Sequence, residues 1–191
     1  MLTGRAHPLP VVMLAFSIAL GMSGCVAPTP DPTPITSAAP SPSPLFDSDE
    51  EALAAATAAY AAYLAAADAV TAAGARDVTP LAPFLTPAYF ESQLAGYQEF
   101  AAKGLRTTGA TTFQPPKVQS VVTTDDGNAE VLIYLCVDVS AVLVVDVAGS
   151  NVTPPDRTDQ YPLLVTLRGA DRSTTLRVQN SETWTGANFC A

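Results

Sequence analysis

Seven prolines fall within the 19 residues from Val26 to Pro44, at positions 28, 30, 32, 34, 40, 42 and 44, among threonine, serine and alanine. Proline fixes φ and has no backbone N–H, so such a run can join neither a helix nor a sheet. It divides the chain into a short N-terminal piece and one stretch long enough to bury a core. The run itself is expected to be extended and polyproline-like, reaching at most roughly 60 Å at about 3.1 Å per residue. Proline at this spacing also occurs in ligands of signalling domains; behind an export leader, a spacer fits better.

Ahead of the prolines, Arg5 and His7 precede an apolar run from Leu9 to Leu20. That run is about a dozen residues, against the roughly 20 needed to cross a bilayer as a helix. Residues 1–24 therefore read as a cleaved signal peptide. The run closes on Leu20-Gly21-Met22-Ser23-Gly24-Cys25, which resembles the lipobox of bacterial lipoproteins. The resemblance implies that Cys25 is acylated, becomes the mature N-terminus, and holds the protein to the outer face of the cell membrane. One acyl chain anchors only marginally, whereas two or more hold stably. The expected partner is thus the lipid bilayer, with residues 25–45 as lipidated terminus and disordered linker.

Cleavage removes every methionine, the one histidine and Arg5, leaving 18 acidic against eight basic residues, a formal charge of −10. No basic patch is present, which disfavours nucleic-acid binding through phosphate neutralisation. The length that remains suits one domain, residues 46–191, and not two.

Within that domain Ser48-Asp49-Glu50-Glu51 has the form of a capping box, with three acids where the helix dipole favours them. An alanine-rich helix follows to about Ala73, with Gly74 as its stop. Leu53, Tyr60, Tyr63, Leu64 and Val70 are spaced for one face. Tyr60 and Tyr63 are expected at the edge of the core with hydroxyls reaching solvent or a partner; lining a ligand pocket is the other reading. Pro80 to Leu85 reads as a short helical turn. Thr86-Pro87 then starts a second helix, with Phe90, Leu94, Tyr97 and Ala101 on one face and Gly104 at its end.

From Arg106 the period changes to two. Residues 107–113 and 117–124 are candidate strands separated by Pro115-Pro116, and Asp125-Asp126-Gly127-Asn128 is a hairpin turn. Paired aspartates invite a calcium reading, which the turn makes unnecessary. The next strand, 129–139, puts Val131, Ile133, Leu135, Val137 and Val139 on one face. Leu132, Tyr134, Cys136 and Asp138 take the other. Residues 142–147 form a further strand, 149–159 a polar loop, and Tyr161–Arg168 with Thr174–Trp184 a final hairpin. Helices first and strands later argue for an α+β domain with helices packed on one face of an antiparallel sheet.

With Cys25 acylated, Cys136 and Cys190 remain as an even pair in an oxidising compartment, and a disulfide between them is expected. Closing a loop of roughly 55 residues would add about 4 kcal/mol in the chain-entropy model, an upper-end figure.

The order helix, short helix, helix, then sheet resembles the nuclear transport factor 2-like fold, related in outline to SnoaL-like and cystatin-like domains. That resemblance implies a cone, with helices held in a strongly curved sheet. Cys136-Val137-Asp138, Trp184 and Cys190 together look like a group of actinobacterial lipoproteins of unassigned function. Relatives of the fold include isomerases and cyclases that use an acidic base beside tyrosine or histidine. Asp138 with Tyr134 is the corresponding candidate pair for a lyase, isomerase or hydrolase, and Asp68 is a second candidate base. The plainer reading pairs Asp138 with Arg168 or Arg177 on a neighbouring strand. A mature chain without histidine, free thiol or clustered metal ligands favours a non-catalytic binding or assembly domain, with no cofactor and no metal. Its partner would be a small hydrophobic ligand, an envelope protein or a second copy of the chain.

Overall fold

The computed structural model describes residues 43–190. Two helices, α1 (Asp49–Ala72) and α2 (Pro87–Ala102), flank a 3-10 turn at Thr79–Phe84. Seven strands follow: β1 (Arg106–Thr108), β2 (Thr112–Phe113), β3 (Lys117–Thr123), β4 (Ala129–Asp138), β5 (Leu143–Val145), β6 (Gln160–Gly169) and β7 (Leu176–Thr183). The α+β class follows directly.

The helix ends are chemically specified. The Glu51 N–H donates to Ser48 Oγ at 3.2 Å, and Glu51 Oε2 accepts from the Asp47 N–H at 2.8 Å. Gly74, at φ +84°, ends α1: its N–H donates to the Thr71 carbonyl and the Ala75 N–H to that of Val70. This left-handed cap satisfies carbonyls that would otherwise be orphaned. Gly104 does the same for α2, with N–H bonds to Ala101 and, from Leu105, to Phe100. Thr86 departs from expectation. Its hydroxyl caps nothing and is buried without a partner, while its backbone N–H donates to the Val178 carbonyl on β7 at 2.9 Å.

The main sheet is antiparallel. β4 lies at its centre, with β6 and then β7 on one side and β2 and β3 end to end on the other. Pro115-Pro116 supply no donors, so the edge divides there, and the register moves on from Phe113↔Val137 to Lys117↔Tyr134. The strand expected over 107–113 is in fact two. Gly109, at φ +85°, lies so close to the Ala141 carbonyl that a Cβ would collide with it. The chain turns there, sending β1 to pair with β5 and β2 with β4.

One face of the sheet makes the core. Val131, Ile133, Leu135, Val165, Leu167 and Val178 are all at most 1% exposed, packed with Leu81 and Leu85 from the segment between the helices. Each such side chain contributes about 1.5–3 kcal/mol on burial. α1 meets this face through Ala52, Ala56 and Tyr60, at 0, 0 and 2% exposure, while Leu53 and Leu64 stay half-buried. The small alanines let the helix lie close, which the reading by large residues missed. Tyr60 is accordingly inside the core and not at its edge. Its ring meets Phe113 edge-on at 5.4 Å. By length and composition α1 could also pass for a membrane-crossing helix; here its apolar stripe is spent on the sheet.

Candidate functional site

The opposite face of the sheet carries the second half of the β4 alternation: Glu130, Leu132, Tyr134, Cys136 and Asp138. Tyr134 lies opposite Lys117 on β3 and Leu164 on β6. The chain leaving β7 folds back across this face. Its first residue, Trp184, donates its N–H to the Pro162 carbonyl at 2.9 Å. Six residues on, Cys190 is bonded to Cys136, with Cα atoms 5.5 Å apart. The expected disulfide is therefore present, tying the tail to the C-terminal part of the central strand.

Between these two attachments the tail supplies aromatic walls around Tyr134. The Trp184 ring meets it edge-to-face at 5.1 Å and 77°, and Phe189 does so at 6.0 Å and 80°. Such pairs add about 0.5–1.5 kcal/mol beyond area burial. Gly186 is required by this arrangement. A Cβ there would fall 2.3 Å from the Trp184 indole nitrogen. Together with Gln114, Pro115 and Lys117 the rings bound a half-open groove of about 370 Å³, within the range of small-molecule sites. Phe189 remains 44% exposed.

The candidate acid–base pair is not assembled. Tyr134 and Asp138 share a face but stand four residues apart on one extended strand, about 13 Å at 3.3 Å per residue. Asp138 lies outside the groove. Its Oδ1 accepts the Ser140 N–H at 2.8 Å and its Oδ2 the Gln160 side-chain amide at 2.7 Å. Those bonds, Ser140 first and then Gln160, hold the carboxyl below its ordinary range, whereas a base working near neutrality is tuned upward. The anticipated arginine partner is also corrected. Arg168 turns to Asp126 at 2.5 Å and Glu130 at 3.6 Å, and Gln160, directly across from Asp138, takes its place.

Asp68 is a clamp between α1 and the β1–β2 loop. Its two oxygens accept the N–H and the hydroxyl of Thr111, both at 2.7 Å. Asp126 is absorbed into the hairpin turn, accepting from the Thr124 hydroxyl at 2.6 Å and the Asn128 N–H at 3.2 Å. Burial pushes the phenols of Tyr60 and Tyr63 well above their ordinary value. Cys25, the leader and the proline run through residue 42 lie outside the described residues.

Sequence reading passed over Gln114, Lys117 and Phe189 as site residues, and of these Phe189 was within its reach. The signal was available: a bond from Cys190 to Cys136 must deliver its neighbour close to Tyr134, two residues from Cys136 on the same face.

No protein-family model and no curated protein matches the chain. Among solved structures it is similar to the intermembrane-space region of the chloroplast protein ARC6. That likeness has 13% identity and a TM-score of 0.46, over 69% of this chain and 95% of that one. It is also similar to a periplasmic fragment of TraM, at 13% identity and a TM-score of 0.43, over 66% and 96%.

Proposed function

We propose that this chain is an exported bacterial lipoprotein whose α+β domain binds or assembles with another component of the cell envelope without catalysing a reaction. Acyl chains on Cys25 hold it to the outer face of the cell membrane, and the proline run sets the domain off from the bilayer. The observation that carries the reading is the pairing of Cys136 with Cys190. It leaves Cys25 as the single thiol of the chain, directly behind an apolar leader and two small residues. A disulfide belongs to an oxidising compartment, which is where a lipidated cysteine would deliver the domain. The helix–turn–helix–sheet order, with register shifts in β3 and β7 that bend strands, supports placing the domain in the nuclear transport factor 2-like class. The groove around Tyr134, walled by aromatic rings, is the surface this reading offers for binding.

Radiolabelled palmitate and mapping of the mature terminus test the anchor. Incorporation that disappears in Cys25→Ser, with a terminus at residue 25, is the expected result. An unlabelled protein with its terminus elsewhere removes the proposal.

A further inference from the structure

From the composition of its walls, we infer that the Tyr134 groove is a binding site for a small amphiphilic monocarboxylate, an apolar or aromatic body ending in one carboxylate. This deepens the binding reading above and rests on it.

Three rings and Pro115 give the groove apolar walls, and the disulfide lies in its lining. The polar groups at its edge, Gln114 and Lys117, present an amide and an ammonium. Lys117 is the only charged residue of the lining, and no carboxylate accompanies it. This is unexpected on a chain with twice as many acidic as basic residues. Among the described residues the ion pairs are those of Lys103, Arg157 and Arg168, so the Lys117 ammonium is unclaimed. It stands directly across from Tyr134 in the β3–β4 register, on the side of the sheet that the rings enclose. Gln114 has its backbone N–H taken by the Cys136 carbonyl at 2.9 Å, which fixes it at the rim with its side chain exposed. A neutral apolar ligand would leave the ammonium without a counter-charge. A cationic one would meet it as a like charge. A carboxylate on an apolar stem satisfies both parts of the site at once.

Trp184 is the only tryptophan in the chain, so tryptophan emission, excited at a wavelength that tyrosine does not absorb, reads this groove alone. The full-length protein in phosphatidylcholine vesicles is titrated with 4-phenylbutyrate and, separately, with its neutral counterpart 4-phenylbutanol. The acid is expected to change Trp184 emission saturably and at lower concentration than the alcohol. Lys117→Gln should weaken the acid about three- to fivefold, the scale of an exposed ion pair, and leave the alcohol unchanged. Lys103→Gln, on α2, should change neither. Equal response to acid and alcohol, or indifference of the acid to Lys117→Gln, overturns the charge selection. No saturable response to either compound overturns the site. Palmitate labelling decides the anchor separately, so a chain that binds phenylbutyrate but takes up no label loses the envelope reading and keeps the groove.

Discussion

Cys136 sits near the C-terminal end of the central strand, and its bond to Cys190 fixes the position of two other side chains. Phe189 precedes Cys190, and Tyr134 lies two residues before Cys136, so one covalent link brings these rings to 6.0 Å. The tail between Thr185 and Phe189 is exposed throughout and has little else to hold it. Cys190→Ser is therefore expected to open the groove as well as destabilise the fold. A loss of up to about 4 kcal/mol follows from the chain-entropy model for this loop, read from urea unfolding. Trp184 emission should shift to the red under native conditions. An unchanged emission spectrum would show that the tail holds its place without the bond.

Gly186 and Gly96 make opposite predictions for the same substitution. At Gly186 a methyl group would overlap the Trp184 indole, so Gly186→Ala must displace the ring or the tail, at a cost of about 1–3 kcal/mol as overpacking. At Gly96, inside α2, a Cβ meets nothing within 4 Å, so Gly96→Ala should stabilise by about 0.5–1 kcal/mol through helix propensity. Thermal unfolding of the two variants checks both, and a shift of the same sign in each contradicts the packing described at Gly186.

Asp68 acts as a fastener if its bonds to Thr111 are what it is for. Asp68→Ala should cost about 1.5–3 kcal/mol, the range for hydrogen bonds to a charged group, and should raise hydrogen exchange at the Thr111 amide. Groove binding, read through Trp184, should persist in the folded fraction. Loss of phenylbutyrate binding without loss of stability would reassign the residue.

The carboxyl of Asp126 is depressed from its ordinary 3.8, with the Thr124 hydroxyl first and the Asn128 N–H next among the causes. A carboxylate whose folded value lies below its unfolded one contributes stability above the unfolded value, lost as the pH falls through the folded one. The protein should thus lose stability on acidification below about pH 4, with Asp138, depressed by Ser140 and Gln160, adding in the same direction. Asp126→Asn should flatten that decline, measured as the urea midpoint against pH. An equally steep decline in the variant would remove Asp126 from the account.

Much of this architecture could be read from local chemistry. Ser48, Gly74 and Gly104 mark helix ends that depend only on adjacent backbone groups. The alternation from Val131 to Val137 is legible because burial on one face of a strand imposes a period of two. What escaped depends on long-range geometry. Thirteen of the 24 residues of α1 are alanine, so its apolar residues do not distinguish a face, and only the packed sheet selects Ala52 and Ala56 over Leu53 and Leu64. The splitting of 107–113 rests on Gly109 meeting Ala141, a contact no local window contains. Gln160 displaced the arginines as the partner of Asp138 because register, and not charge, decides which side chain stands opposite.

Tyr60 governs stability at the alkaline end. Its phenol is buried at 2% exposure and raised above the ordinary 10.0 chiefly by that burial, the nearby Ser181 acting the other way. Tyr63 is raised for the same first reason. A phenol raised in the folded state stays protonated there while its unfolded counterpart ionises. The resulting stability is whole below about pH 10 and is lost as the pH climbs toward the folded value. Phenolate absorbance should then rise partly in step with loss of the circular dichroism of the helices, and not ahead of it. Tyr60→Phe removes one ionisable group from the core, so its stability relative to the parent should improve on passing from neutral to alkaline pH, whatever the variant costs at neutrality. A constant difference between the two proteins across that range would mean that Tyr60 ionises as easily folded as unfolded, and would sink its place in the interior.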